Sequence, residues 1–253
     1  MQALSIGVVS QQVESRRRAQ QLAEQLRIPF AEPAETFELL LVVTQQRLEL
    51  RQTHTNSSVY VDFVNGALAH RRRFGGGRNQ PLARAIGMKP GFNPSIIDAT
   101  AGLGRDAYIL ASLGCEVILC ERSPILAVLL EDGLLRAANS RDTAAAAERM
   151  TLIKEDAINY LKQSAVLPDS IYLDPMFPQK KSSALVKKDM QILQLLIGAD
   201  MDSGQLFNAA MSQAGKRVVV KRPASAKPLD QTRPAGSVCS KKTRYDIYAV
   251  TNP

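Results

Sequence analysis

The sequence predicts an α/β protein, with a mostly parallel seven-stranded sheet preceded by a small α+β unit. Three observations carry that prediction. Short apolar runs at Ile96–Asp98, Val117–Cys120, Met150–Ile153, Ser170–Leu173 and residues 218–220 alternate with helical stretches. The first run leads into a small-residue turn, Ala99-Thr100-Ala101-Gly102-Leu103-Gly104, that opens a helix. Before residue 65 the strand-like and helical runs are short and follow a different pattern.

Taken in order, residues 3–9 alternate weakly and are expected as a strand. Residues 11–27 are expected as a helix with Val13, Ala19, Leu22, Ala23 and Leu26 inward, ended by Ile28-Pro29. Residues 37–44 and 47–52 are β-rich runs joined by a polar turn, and residues 59–63 are a further strand candidate. Residues 1–65 thus form the N-terminal α+β unit. Within residues 64–78, the nine from His70 to Arg78 gather His70, Arg71, Arg72, Arg73 and Arg78 around Phe74 and three glycines. That composition is expected as a flexible basic loop able to follow a phosphate backbone, or as a solvated linker. With a short helix over 81–87 it makes up a linking segment, residues 66–92, and residues 93–253 form the sheet domain.

The turn after Ile96–Asp98 is a nucleotide-type site. Its glycines let a ligand approach the backbone, and the helix N-terminus behind it offers free N–H groups. The second strand ends in Glu121, where an acid can hold ribose hydroxyls. Gly102-x-Gly104-x-x-Ala107 fits a dinucleotide fingerprint, and Asp98-x-x-x-Gly102-x-Gly104 fits an S-adenosylmethionine (SAM) site. Charge separates the two. Asp98 and Asp106 flank the turn; they would repel a pyrophosphate but suit the ammonium and sulfonium of SAM. SAM is therefore the expected cofactor. An NAD-dependent oxidoreductase is the alternative from another class.

Beyond Glu121 the alternation continues. Ser123-Pro124 marks a helix start, N-cap then N1, over residues 125–138. Residues 139–148 are a loop or ragged helix. Asp156 follows the third strand and opens the helix Ala157–Gln163, either as an ordinary cap or as an acceptor for an adenine amino group. Residues 179–188 are basic. Helices are expected over 189–197 and 202–213, a strand over 218–220 ending in Lys221-Arg222-Pro223, and antiparallel edge strands over 237–240 and 246–250.

Composition narrows the classes. Hydrophobic residues at 45% and charged residues at 22% are ordinary for a soluble globular protein. The start lacks a basic region before its short apolar run, so no secretion signal is expected, and no apolar run is long enough to span a membrane. Cys115, Cys120 and Cys239 are scattered, which favours a reducing, cytoplasmic setting. With only His54 and His70 and no paired cysteines, no metal site is expected. Charge is segregated: residues 1–92 carry 12 basic against 7 acidic groups, 93–174 carry 7 against 12, and 175–253 carry 13 against 5. An acidic centre with basic flanks suits a cationic cofactor and a polyanionic substrate.

The fourth strand runs into Asp174-Pro175-Met176-Phe177, close to the Asp/Asn-Pro-Pro-aromatic pattern of methyltransferases that act on exocyclic amines. Ligands of open α/β sheets bind beyond the carboxyl ends of the strands, so this tetrapeptide is expected to face the glycine turn. An aryl amine is a poor nucleophile because its lone pair is conjugated. The Asp174 carboxylate and the Pro175 carbonyl can accept its two N–H bonds, aim the nitrogen and stabilise developing positive charge. Phe177 can stack on a base that is unpaired or flipped out. The residue chemistry leaves open guanine N2, adenine N6, another RNA or DNA base, and a glutamine amide.

Taken together, several motifs resemble the RsmJ family of bacterial 16S rRNA (guanine-N2)-methyltransferases. They are Val61-Asp62-Phe63-Val64 with Gly66-Ala67, His70-Arg71-Arg72, Phe74-Gly75-Gly76-Gly77-Arg78, residues 98–107, Tyr172-Leu173-Asp174-Pro175-Met176-Phe177-Pro178, residues 183–188 and Val218-Val219-Val220-Lys221-Arg222-Pro223. The resemblance covers about residues 59–250. It implies a Rossmann-like SAM-dependent methyltransferase fold, SAM as donor, and guanosine 1516 of 16S rRNA, free or in the small subunit, as acceptor. It implies cofactor contacts at Arg105, Asp106, Glu121, Arg122, Asp156, Ala157 and Asp174, beside Asp98, Gly102 and Gly104 of the turn. Asp156 stands where some relatives have serine. Arg71, Arg72, Arg73, Arg78, Lys180, Lys181, Lys187, Lys188, Lys221 and Arg222, with the 241–244 loop, are expected to grip RNA phosphates.

Overall fold

The computed structural model describes residues 4–31, 36–55, 57–176, 188–198 and 200–250. In chain order the described strands are β1 (Ile6–Ser10), β2 (Leu39–Val43), β3 (Leu48–Gln52), β4 (Ser58–Val59), β5 (Ile96–Asp98), β6 (Val117–Cys120), β7 (Met150–Ile153), β8 (Ser170–Leu173), β9 (Arg217–Pro223), β10 (Gly236–Cys239) and β11 (Thr243–Ala249). The helices are α1 (Arg16–Leu26), α2 (Gly66–Phe74), α3 (Pro81–Ile86), α4 (Arg105–Ser112), α5 (Pro124–Ala138), α6 (Ala144–Ala147), α7 (Ala157–Gln163), α8 (Lys188–Ile197) and α9 (Ser203–Gln213).

The main sheet has seven strands in the order β10-β11-β9-β8-β5-β6-β7. The five from β9 to β7 are parallel, and β11 and β10 are antiparallel additions at one edge. The chain leaves β5 towards β6 and β7, then returns to lay β8 on the other side. The order reverses at β5 and β8, and the crevice beyond their carboxyl ends is the expected ligand site. Strand alternation decides what faces it. Ile96, Tyr172 and Val219 pack into the core on one face, whereas Ile97, Ile171, Leu173, Val218 and Val220 pack on the other. By the same period of two, Asp98, Asp174 and Lys221 fall on the first face at the strand ends. Each buried aliphatic side chain here contributes roughly 1.5–3 kcal/mol relative to exposure.

The N-terminal unit is a four-stranded sheet, β1-β2-β3-β4, with β1 parallel to β2 and the other pairs antiparallel. Its inner residues Leu39, Leu41 and Leu50 share one core with Phe63, Ile96 and Leu110. Buried Asp132 on α5 ties the two together: it accepts from Leu48 N–H at 3.1 Å, from Arg18 at 2.9 Å and from Arg136 at 3.0 Å. At Gly133 a Cβ would lie 2.3 Å from Val61 Cγ1, so α5 and the strand-like segment meet backbone to side chain.

Five local expectations change. Val13, expected inward on a helix over residues 11–27, stands in a 3-10 turn before α1 and is exposed. Residues 64–78, expected as a flexible basic loop, contain α2; Leu68, Ala69 and the three arginines are good helix formers, and the arginines sit in the last turn where they complement the helix dipole. The strand expected over 59–63 is regular only at Ser58–Val59, although Val61 and Phe63 stay buried. β9 runs through Lys221, Arg222 and Pro223 rather than ending before them, because β11 pairs with it along its whole length. β11 accordingly begins at Thr243. Among the described residues no helix is long and apolar enough to cross a membrane.

Candidate active site

The glycine turn is built by packing on one side and backbone twist on the other. Gly102 and Gly104 have φ of 55° and 67°, the left-handed region that favours glycine. A Cβ at Gly104 would lie 2.7 Å from Leu130 Cδ1 and 3.1 Å from Phe63 Cζ. At Gly102 the nearest such atom is Thr100 O at 3.9 Å, so the space before it is open to a ligand. Gly102 N–H donates to Glu121 Oε2 at 2.8 Å, and Ser123 N–H donates to Oε1 at 2.7 Å. These bonds use two of about four lone-pair sites on the carboxylate. Burial raises the Glu121 pKa to about 7 against those two N–H groups.

Asp98 closes β5 beneath the turn. It accepts from Thr100 N–H at 3.1 Å and is 2% exposed. Burial pushes its pKa to about 8, with Asp106 and Asp174 adding to the rise and Lys221 opposing it. Beyond β7, Asp156 caps α7 by accepting from Ile158 N–H at 2.9 Å, with Ala157 buried behind it. Its second oxygen lies 3.5 Å from Arg122, which also donates to Asp202 at 2.6 Å and Asp200 at 2.5 Å. Asp98, Gly102, Gly104, Glu121, Arg122, Asp156 and Ala157 therefore gather at the ends of β5, β6 and β7. Buried acids around an open glycine cradle fit SAM: carboxylates for an ammonium and a sulfonium, and acceptors for ribose hydroxyls and an adenine amine. They fit a pyrophosphate badly. Arg105 is exposed at the first position of α4.

Across the crevice, β8 delivers Asp174. Its N–H donates to Thr100 Oγ1 at 2.7 Å, which joins the second motif to the glycine turn. The register Leu173↔Val220 places Asp174 beside Lys221, whose Nζ lies 2.8 Å from Asp174 Oδ2 and 2.9 Å from Asp106 Oδ2. Asp106 is further held by Tyr172 OH at 2.8 Å and by Arg71 at 2.7 Å on Oδ1. Burial alone would raise its pKa; Lys221 and Arg71 hold it at about 2. Burial and Asp106 raise Asp174, and Lys221 opposes them. Pro175 is buried, and Met176 N–H donates to Asp200 at 2.5 Å. Asp200 thus links the Asp174 motif to Arg122. Phe177 lies outside the described residues, as do Lys180, Lys181 and Lys187; Lys188 opens α8.

Several expected phosphate-gripping residues have other work in the fold. Arg71 and Lys221 bind Asp106, and Lys221 also binds Asp174. Arg72 reaches Tyr108 OH at 3.1 Å and the Asp142 carbonyl. Arg78 donates to the carbonyls of Lys89 at 3.1 Å and Leu113 at 3.4 Å, and Arg222 to that of Lys227 at 3.0 Å. Arg244 is paired with buried Asp246 at 2.7 Å. Arg73 is exposed, with 60% of its side chain open and Asp142 at 3.1 Å. Arg244 and Asp246 lie two apart on β11, but local sequence carried no signal for most of these partners, because they lie on other elements. For the same reason sequence reasoning missed Thr100, Tyr172, Asp200 and Asp202 as parts of the site.

Comparison with known proteins points to the same class of cofactor. The family model for SAM-dependent methyltransferases matches residues 21–250. Ribosomal RNA small subunit methyltransferase J of Tolumonas auensis is 47% identical over 249 residues, covering 97% of this chain and 98% of the relative. The protein of that name from Aeromonas salmonicida is 52% identical over 213 residues, covering 83% and 86%. The crystal structure of a SAM-dependent methyltransferase from Neisseria gonorrhoeae superposes with a TM-score of 0.78 at 32% identity, covering 98% of this chain and 97% of that one. With a glycine cradle ringed by acids at the ends of β5 to β7 and near-full-length relatives of one name, this chain belongs to the ribosomal RNA small subunit methyltransferase J family of SAM-dependent methyltransferases.

Proposed function

We propose that the chain methylates the exocyclic N2 of a guanosine in 16S rRNA, at the position the family resemblance implies, guanosine 1516. The observation that carries this reading is the placement of Asp174. Its backbone is tied to the glycine turn through Thr100, and its carboxylate stands at the crevice between the cofactor cradle and solvent. Asp98, Glu121, Arg122 and Asp156 hold the donor, with Gly102 giving it room. Bound there, SAM supplies an electrophilic methyl group on a sulfonium sulfur. Asp174 accepts one N–H of the guanine amine and the Pro175 carbonyl accepts the other. Both orient the nitrogen and stabilise the positive charge that grows on it as the N–C bond forms. The methyl–sulfur bond would break as the N–C bond forms, leaving the donor as a neutral thioether, and the methylated amine would pass its extra proton to solvent.

Phe177 is read as the group that stacks on the extruded base. Arg73 and the 180–188 and 241–242 lysines are read as phosphate contacts, on the basic flanks of an acidic centre. Residues 1–65, with the helical segment 66–92, are read as a platform for the catalytic domain, residues 93–253. The substrate is 16S rRNA or the assembled small subunit, which places the reaction in the cytoplasm. The test is transfer of labelled methyl from SAM to purified 16S rRNA and to small subunits, followed by nucleoside analysis. N2-methylguanosine is the expected product; label in N6-methyladenosine or in protein overturns the reading.

A further inference from the structure

We propose that Lys221 is a positioning residue for the methyl transfer. It donates to Asp174 Oδ2, balances its charge, and leaves Oδ1 to accept from the acceptor amine. The proposal rests on the reading of Asp174 as the group that meets that amine.

The geometry assigns this role in three steps. First, Lys221 does not extend from the surface as a phosphate-gripping lysine would. It is 29% exposed, and its Nζ lies between two carboxylates at 2.8 and 2.9 Å. Second, its far partner cannot follow it. Asp106 is pinned by Arg71 at 2.7 Å and Tyr172 OH at 2.8 Å, so the ammonium has a fixed anchor on one side and Asp174 on the other. Tyr245, the buried register partner of Lys221 on β11, crowds the strand from the opposite side. Third, the order Arg71, Asp106, Lys221, Asp174 alternates in sign. Each charge in this row is matched before a base arrives, which keeps the cost of burying them low.

The groups facing Asp174 come from every neighbouring element: Asp98 on β5, Asp106 on α4, Tyr172 on β8, Lys221 on β9, Tyr245 on β11 and Asp200 ahead of α9. Lys221 supplies the direct positive contact in that ring. Without its charge, burial and the surrounding acids favour protonation of Asp174. A neutral carboxyl stabilises a developing ammonium less, and no other cation among the described residues then fixes which oxygen faces the amine.

The test compares Lys221→Met, Lys221→Arg and Asp174→Ala proteins in methyl transfer to small-subunit rRNA, with kcat and KM measured from about pH 5 to about pH 9. Lys221→Met is expected to lower kcat at neutral pH about tenfold or more and to move the acidic limb of kcat up by about one pH unit or more. The KM for SAM stays within about twofold of wild type, since uniform binding is untouched. Lys221→Arg is expected to restore most of the rate and the position of the limb. Equal loss at every pH with an unshifted limb overturns the proposal. If Asp174→Ala loses activity while Lys221→Met keeps the wild-type rate and profile, Lys221 is not a positioning residue and the reading of Asp174 stands. If Asp174→Ala keeps full activity, the reading of Asp174 itself fails. Should Lys221→Met not fold, carboxyl-carbon NMR of the intact protein decides, with the Asp174 signal identified by its loss in Asp174→Asn. An Asp174 carboxylate that is ionised at neutral pH is expected, and one still protonated at neutral pH overturns the proposal.

Discussion

The two sides of the crevice both carry acids, with opposite electrostatics. Beyond β5 to β7, buried Asp98 and Glu121 are pushed up to about 8 and about 7, and the nearby cation Arg122 is already shared among Asp156, Asp200 and Asp202. Beyond β8 and β9, Asp106 and Asp174 alternate with Arg71 and Lys221, and Asp106 is held at about 2. The donor side is short of positive charge, and a cationic ligand supplies it. The acceptor side balances itself, so it can meet a neutral base with hydrogen bonds.

Asp174→Ala breaks the acceptor side most directly. We expect kcat for methyl transfer to fall on the order of 10²–10³-fold, the usual cost of one polar contact aimed at developing charge. SAM affinity, read by calorimetry, should stay within about twofold, because the donor side is intact.

Gly104→Ala attacks the turn that both sides share. The left-handed backbone and the 2.7 Å approach to Leu130 together predict a loss of about 2–4 kcal/mol in unfolding free energy, read by denaturant titration. Gly102→Ala should cost less stability, because the space before it is open, and should weaken SAM binding instead.

Asp98 tests the donor side through pH. Its carboxyl must lose a proton to face a cation, so SAM affinity should rise with pH up to about 8, by up to tenfold per pH unit. Asp98→Asn should flatten that dependence and bind about tenfold more weakly at pH 8. The stability consequence has the opposite sign. The folded pKa lies above the ordinary 3.8, so this group favours the fold below 3.8, and that contribution is lost as pH rises towards 8. Without ligand, Asp98→Asn should therefore melt higher than wild type at pH 8. Asp106 behaves conversely: its contribution is present above 3.8 and lost as pH falls towards 2.

The smallest expected effect is at Arg73. Arg73→Ala should reduce the slope of log affinity for rRNA against log salt by about 0.7 and leave kcat unchanged. Arg71→Ala, two residues away, should instead impair the chemistry, because Arg71 holds Asp106.

What was legible in the sequence follows from distance along the chain. The turn from Asp98 to Gly104, Glu121 at the next strand end, the Ser123-Pro124 helix start and the Asp174 motif are local patterns, and all stand at the crevice. Lys221 read as a surface cation because its role depends on the register of β8 against β9 and on β9 running three residues further. Arg71 read as part of a loop because the glycines at 75–77 masked the helix before them. Asp200 and Asp202 read only as residues near a helix start; their closure on Arg122 comes from packing between elements some 80 residues apart.

The most direct measurement is of the small-subunit rRNA from cells lacking this chain, digested and mapped by mass spectrometry. The expectation is one missing N2-methylguanosine, restored by the wild-type chain and not by Asp174→Ala. A full set of methylguanosines in the deletion strain, or complete restoration by Asp174→Ala, would contradict it.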